Sequence, residues 1–229
     1  MTGRTKASNP ERDAPTQEWY QGQNLAEFPQ EHVHEEFKLF RAHSRDYGPI
    51  YYASYPPQDG GRGGRFDLPE GRSLGTCYMA TSGLTALRER FGPRLINARI
   101  LPRKLFEETS VSQVRLPHAY WTASLITGSE ARFGVKASEM SSSVNYDISR
   151  TWALAWWAWG LDGVWYKPGW DPRLAVVSLA LFAEQTENCY PTCEDTQPGE
   201  GYITQYEQEF KTRISAPISK DEATTGLDE

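Results

Sequence analysis

The sequence predicts an α+β fold, in which a mixed β-sheet packs against a few helices. Short apolar stretches typical of strands alternate with only two long helical patterns, and nearly all of them lie between residues 37 and 183. A chain of 229 residues suits one domain of ordinary size with extensions. We expect a partly disordered polar arm over residues 1–35, a domain over 36–185 and a partly disordered acidic extension over 186–229.

The first half of the domain is predicted to contain two strands and a helix. FKLFRAH (37–43) predicts a strand, and GTCYMA (75–80) predicts a second strand that turns Tyr78 and Ala80 to one side. A helix is predicted over SGLTALRERFG (82–92), which Gly92 is expected to end. Its apolar residues repeat at helical spacing: Leu84, Leu87 and Phe91.

The second half supplies three more strands and the other helix. INARILP (96–102) predicts a strand, and SRTWALAWWAWG (149–160) predicts a helix. Its buried side is expected to carry four bulky residues: Trp152, Leu154, Trp156 and Trp159. DGVWY (162–166) and LAVVSLALF (174–182) predict the last two strands, and the second is apolar enough for the middle of a sheet.

Charge and cysteine content exclude several classes of protein. The formal net charge is −6, but the residues from Glu194 onward contain nine acidic and three basic side chains, so the rest of the chain is neutral. A neutral body argues against bulk nucleic-acid binding. Three cysteines, two of them in CYPTC (189–193), and two histidines in HVHEE (32–36) complete no metal-ligand set. No stretch resembles a signal peptide or a membrane span, so we expect a cytoplasmic protein without a metal.

Three polar side chains have both an ordinary and a functional interpretation. Glu89 lies opposite the apolar stripe of its helix, which by itself favours a solvated glutamate between two arginines. Arg41 shares a strand face with apolar residues, so its guanidinium needs either a structural ion pair or a ligand anion. Arg65 follows a glycine-rich stretch, which is either a flexible loop or a close approach to a phosphate.

Several motifs together resemble the RES-domain family. They are FRAH (40–43), GGRFD (63–67), GTCYMATSGLTALRERFG (75–92) and the DGVWY-to-SLALF region (162–182), which occur in order across residues 38–183. The central motif also resembles the family branch with a GTCYxA strand. The resemblance implies a fold similar to ADP-ribosyltransferases and the activity of toxins that degrade NAD. It therefore implies NAD as a substrate with no separate cofactor, and an antitoxin protein as a partner.

The resemblance also implies roles for individual residues. Arg41 and Arg65 match the family's arginines, Tyr78 its strand tyrosine and Glu89 its glutamate. On this basis we expect Glu89, Arg41 and Tyr78 to be catalytic, and Arg41, Arg65, Tyr78 and Lys167 to bind NAD. A carboxylate near the ribose suits charge development during cleavage of the nicotinamide–ribose bond, guanidinium groups suit the pyrophosphate, and a tyrosine can stack on the cationic ring.

One departure from the family pattern leaves two functions open. The family's serine is expected just after the DGVWY strand, where this chain has Lys167 and Pro168. The first function is an enzyme that breaks the nicotinamide–ribose bond of NAD by hydrolysis, phosphorolysis or ADP-ribosyl transfer. The alternative is a catalytically degenerate RES-like protein that binds a nucleotide or a protein partner.

Overall fold

A computed structural model describes residues 24–56, 63–69, 74–95, 100–140, 146–184 and 191–216. The strands within these ranges are β1 (Gln30–Val33), β2 (Leu39–Ser44), β3 (Ser54–Tyr55), β4 (Leu68–Pro69), β5 (Leu74–Ala80), β6 (Ile100–Leu101), β7 (Thr109–Arg115), β8 (Tyr120–Ser124), β9 (Gly163–Tyr166), β10 (Ser178–Glu184), β11 (Thr192–Pro198) and β12 (Arg213–Ile214). The α-helices are α1 (Gly83–Leu95), α2 (Arg103–Glu107), α3 (Ala137–Met140), α4 (Asp147–Trp159) and α5 (Ile203–Phe210).

Eight strands form one mixed sheet, in the order β1-β8-β9-β10-β5-β2-β7-β11. The β8–β9 pair is parallel and the other neighbours are antiparallel. The apolar strand β10 lies between β9 and β5, which confirms the prediction of a central position for SLALF. The large mixed sheet and the few helices confirm the α+β fold.

Helix α4 packs on one face of the sheet. Trp152 and Trp156 stack at 5.5 Å between ring centroids, and the helix ends at Gly160, whose φ of 91° favours glycine. The prediction for Trp159 was wrong, because this last helical residue is 43% exposed, whereas Trp157 is buried. Residues 152–157 are all buried, so the middle of α4 is enclosed on every side and buries more than a single stripe.

Helix α1 follows β5 and forms a second core. Its predicted stripe of Leu84, Leu87 and Phe91 is buried there. The prediction that Gly92 ends the helix was wrong, because α1 continues to Leu95. Gly92 is needed inside the helix, since a Cβ at this position would overlap the indole of Trp170.

The segment after the predicted domain is partly built into the same fold. We call residues 191–216 the C-terminal segment. Its strand β11 pairs with β7 at the edge of the sheet, and Tyr206 of α5 is fully buried in the α1 core. The C-terminal segment therefore packs against the body of the domain through β11 and α5. Residues 1–23 and 217–229 lie outside the described residues, so the expectations about both ends stay predictions.

Two predicted strands differ in how far the structure follows them. Ile100–Leu101 form a strand within the predicted range 96–102, of which residues 96–99 lie outside the described ranges. The last strand begins at Ser178 and not at Leu174, because Lys167 donates to the carbonyl groups of Leu174 and Val176 and holds this stretch as a loop.

Candidate active site around Glu89

Glu89 lies on the flank of α1 that faces the loop between β9 and β10. The backbone N–H of Trp170 in this loop donates a hydrogen bond to Oε1 of Glu89 at 2.7 Å. The carboxylate is therefore not the fully solvated group that helix periodicity favours, because a loop remote in sequence partly covers it.

The surroundings of Glu89 act on its pKa in opposite directions. Burial is the largest cause and raises the pKa of Glu89 above its ordinary value, and the negative charge of Asp171 adds to this. The backbone N–H groups of Trp170 and Gly169 and the Arg65 guanidinium oppose the rise. The result is a carboxylate that is partly desolvated and also held by donors and a cation, which is typical of functional carboxylates.

Arg65 approaches Glu89 from the turn that precedes β4. It is 7% exposed, and its guanidinium lies 6.0 Å from the ring centroid of Tyr146 and 5.9 Å from that of Tyr166. A Cβ at Gly169 would overlap this guanidinium in its present position, so glycine lets the loop approach the arginine closely. Within the described ranges, the buried Nε of Arg65 has no hydrogen-bond partner. Arg65 can therefore accept a further anionic partner.

Helix α4 fixes the turn that carries Arg65. The hydroxyl of Ser149 donates to the Arg65 carbonyl at 2.6 Å, and Nε of Arg150 donates to the Gly64 carbonyl at 3.1 Å. Arg150 also lies over the ring of Tyr55 at 3.6 Å from its centroid. The sequence pattern identified Ser149 only as the start of a helix and gave no sign that it reaches back to this turn.

Tyr78 holds the same turn from the sheet. Its hydroxyl donates to Oδ1 of Asp67 at 2.7 Å and accepts the N–H of Phe66 at 2.9 Å, while the N–H of Gly64 donates to Oδ2 of Asp67. Burial, the largest cause, raises the pKa of Tyr78 and also that of Asp67. The tyrosine hydroxyl is thus engaged with the turn, and Asp67 is a buried carboxylate that the candidate site residues did not include.

Tyr166 and Ser178 lie beside these residues and were not among the candidate site residues. They are partners in the β9–β10 register, and both are buried. Burial is the largest cause that raises the pKa of Tyr166, and the negative charge of Glu89 adds to it. Ser178 pairs with Ala80 on its other side, so its hydroxyl lies on the Tyr78 face of the sheet. Strand alternation predicts the shared face, but a single sequence does not say which helix covers it.

The two other predicted residues make different contacts. Arg41 of β2 donates from Nη1 to Sγ of Cys77 at 2.6 Å, and its Nε is buried without a partner within the described ranges. It also lies close enough to Arg90 to lower the pKa of that residue, although burial is the larger cause. No hydrogen bond in the described ranges joins Arg41 to Arg65, Tyr78 or Glu89.

Lys167 is exposed, and its ammonium group is bound to carbonyl groups. It donates to the carbonyl of Leu174 and, at 3.4 Å, to that of Val176. These contacts fix the start of β10. The structure therefore brings Arg65, Tyr78 and Glu89 into one neighbourhood, places Arg41 against Cys77 and Arg90, and attaches Lys167 to a loop.

Two classes of site receive no support from the described residues. The described residues contain no group of three or more His, Cys, Asp or Glu side chains arranged to hold a metal ion, and Cys189 lies outside the described ranges. Among the helices described, none is long and apolar enough to cross a membrane.

Comparison with known proteins identifies the family. The model of the RES domain matches residues 38–187. No curated protein matches the chain. A solved structure, the crystal structure of the M. tuberculosis MbcT–MbcA toxin–antitoxin complex, contains a chain of similar fold at a TM-score of 0.57 and 13% identity. The similarity covers 79% of this chain and 92% of that chain. Since the family model spans well over half of the sequence, the chain belongs to the RES-domain family.

Proposed function

We propose that this protein cleaves the nicotinamide–ribose bond of NAD. The observation that carries the proposal is the Glu89 carboxylate, which is partly desolvated yet held by the Trp170 N–H and faces the guanidinium of Arg65. Membership of the RES-domain family and the fold shared with a toxin support this class of activity.

The reaction requires stabilisation of positive charge and little else. When the bond breaks, its electron pair goes to the nicotinamide nitrogen, which leaves as a neutral ring and needs no proton. Positive charge then develops on the ribose, and an oxygen of water or phosphate bonds to C1′ and releases a proton. A carboxylate held in place beside the sugar lowers the energy of this transition state. Glu89 has this role in the proposal.

The arginines and the tyrosine bind the substrate in this proposal. Arg65 has a buried Nε without a partner in the described ranges, and a phosphate oxygen can complete its hydrogen bonding. Arg41 also has a buried Nε without a partner in the described ranges, but its contact with Cys77 lies on the face of the sheet opposite Tyr78, so it contacts the pyrophosphate only if its guanidinium leaves Cys77. Since the Tyr78 hydroxyl is bound to Asp67, its contribution to nicotinamide binding is the ring. Lys167 contacts a phosphate only if its ammonium leaves the carbonyl groups of residues 174 and 176.

The biological setting that we propose is a cytoplasmic toxin held in check by an antitoxin protein. The similar chain of known structure comes from a complex of this kind. NAD is the substrate, and we propose no separate cofactor or metal.

A second candidate function rests on one specific observation. Lys167 and Pro168 stand where the RES family has its serine, and Lys167 is bound to the loop before β10. A protein that lost this hydroxyl can still bind a nucleotide or a protein partner without turning NAD over. The nearby buried Ser178 offers a hydroxyl on the Tyr78 face, which favours the enzyme over this alternative.

Release of nicotinamide separates the two candidates. Purified protein is incubated with NAD in phosphate buffer and in phosphate-free buffer, and the products are resolved by chromatography. We expect free nicotinamide in at least one buffer, together with ADP-ribose from hydrolysis or its 1″-phosphate from phosphorolysis. NAD that binds but is recovered intact in both buffers would support the degenerate protein.

A further inference from the structure

The C-terminal segment is bound to α1 through the residue that precedes Glu89. Nε of Arg88 donates to the carbonyl of Trp170 at 3.0 Å. Nη1 of the same guanidinium donates to the Tyr206 hydroxyl and to Oγ1 of Thr212, both at 3.2 Å. The ring of Phe210 lies 4.6 Å from this guanidinium. One arginine therefore joins the β9–β10 loop to three residues of the C-terminal segment.

A second arginine, Arg173 of the β9–β10 loop, also joins this loop to the C-terminal segment. Arg173 donates from Nη2 to Asp171 at 2.7 Å, and its Nη1 lies 3.6 Å from the Glu209 carboxylate of α5. Asp171 also accepts the hydroxyl of Thr85 at 2.8 Å, so the loop is attached to α1 and to α5 at once.

Trp170 lies at the centre of these contacts. Its carbonyl accepts from Arg88 and its N–H donates to Glu89, so consecutive residues of α1 hold both polar backbone atoms of Trp170. Its indole fills the space beside Gly92. Any displacement of Trp170 therefore changes the hydrogen bond to the Glu89 carboxylate.

We infer that Arg88, held by Tyr206 and Phe210 of the C-terminal helix, is a positioning residue that fixes Trp170 against Glu89. The inference rests on the proposed function, because it assumes that the Glu89 carboxylate acts in NAD cleavage. It extends the functional unit beyond residues 38–187, since α5 lies outside the region that the family model matches. Small displacements of an active-site group are costly in rate, so a distant helix can control turnover without contacting the substrate.

The test compares two connections to the C-terminal segment. Arg88→Met keeps the length of the side chain but removes its hydrogen bonds to Trp170 and Tyr206. Tyr206→Phe removes the hydrogen bond from Arg88 and keeps the packing of the ring, so it provides a milder test if Arg88→Met fails to fold. The matched control is Arg45→Met, which removes an ion pair to Glu200 of the same segment that does not involve the β9–β10 loop.

The kinetic readout separates positioning from general destabilisation. We expect Arg88→Met to lower kcat about tenfold or more while KM for NAD changes by less than about threefold, and Tyr206→Phe to act in the same direction more weakly. Arg88→Lys restores part of the activity, because it keeps a donor for the Trp170 carbonyl. Arg45→Met keeps the wild-type kcat. A folded Arg88→Met protein with wild-type kcat would overturn the inference.

A second readout does not depend on activity. The pKa of Glu89 is followed by NMR of carboxyl groups labelled with ¹³C, and the charged or titratable groups that face this carboxylate are Arg65, Tyr166 and Asp171. Loss of the Trp170 N–H bond raises the pKa of Glu89 in Arg88→Met but not in Arg45→Met. An unchanged pKa in Arg88→Met would overturn the inference. A raised pKa in a protein that releases no nicotinamide would support the positioning role and contradict the proposed function.

Discussion

Trp170 donates its backbone N–H to Oε1 of Glu89 at 2.7 Å, across 81 residues of sequence. Through this bond the β9–β10 loop partly covers and orients a glutamate on the polar side of a helix. The carboxylate also interacts with the positive charge of Arg65. The chemistry proposed for the protein depends on this arrangement, because a solvated carboxylate would stabilise charge on the ribose only weakly.

The first prediction concerns the dependence of activity on pH. In the proposed mechanism the ionised form of Glu89 is the active one, and burial raises the pKa of Glu89 above the ordinary value for glutamate. The rate of turnover is therefore maximal at pH values above the raised pKa and decreases as the pH falls through it. Nicotinamide release measured between pH 4 and pH 8, with circular dichroism to exclude unfolding, should show this acid limb above the range of free glutamate. A rate that stays constant down to the range of free glutamate would contradict the prediction.

The same shift predicts an effect on stability. Since the pKa of Glu89 is higher in the folded than in the unfolded state, its charge opposes folding above the unfolded-state pKa. This cost disappears when the pH falls below that value. We expect Glu89→Gln to raise the free energy of unfolding at pH 7, by an amount that shrinks in acid, as measured by urea denaturation. The control Glu107→Gln lies on the exposed end of α2 and should change little. A less stable Glu89→Gln protein at pH 7 would show that the carboxylate stabilises the fold.

Gly92 tests whether the position of Trp170 matters. Alanine improves on glycine in a helix interior by about 1 kcal/mol, but a Cβ at this position overlaps the Trp170 indole. We expect Gly92→Ala to displace Trp170 and to lower nicotinamide release by about tenfold or more. Gly48→Ala is the control, because its Cβ would meet nothing within 4 Å. Equal rates of nicotinamide release by the two variants would show that the position of Trp170 does not affect the reaction.

The hydroxyl of Tyr78 is predicted to stabilise the turn that carries Arg65. Tyr78→Phe leaves Oδ1 of Asp67 and the N–H of Phe66 without this partner in a largely buried site. We expect a loss of about 1–3 kcal/mol in the free energy of unfolding. Tyr47→Phe serves as the control, since Tyr47 is 74% exposed. If the two variants are equally stable, the Asp67–Tyr78 bond does not support the turn.

The parts of the fold that the sequence predicted are those set by local pattern. The stripe of Leu84, Leu87 and Phe91 and the glycine end of α4 at Gly160 follow from residues next to one another. The position of Gly92 inside α1 does not follow from neighbouring residues. It is explained by the indole of Trp170, which the fold of the chain brings next to this glycine. The exposure of Trp159 likewise depends on which elements surround the helix.

The candidate site was predicted through motifs and not through periodicity. Helix periodicity favoured a solvated Glu89, while the resemblance to the RES-domain family singled it out, and the family model confirms that membership. The supports of the site were not predictable from one sequence. Ser149 and Arg150 reach the Arg65 turn from α4, and Arg88 reaches Trp170 and Tyr206, through contacts between residues far apart in the chain.

The most direct test of the proposed mechanism is Glu89→Gln, measured for both turnover and binding. Glutamine keeps the size and an oxygen that accepts the Trp170 N–H, but it removes the negative charge. We expect nicotinamide release to fall by about a hundredfold or more, while the Kd for NAD, measured by calorimetry, changes by less than about threefold. Glu107→Gln should leave both quantities at wild-type values. Nicotinamide release by Glu89→Gln at the wild-type rate would contradict the proposal that this carboxylate stabilises the charge that develops on the ribose.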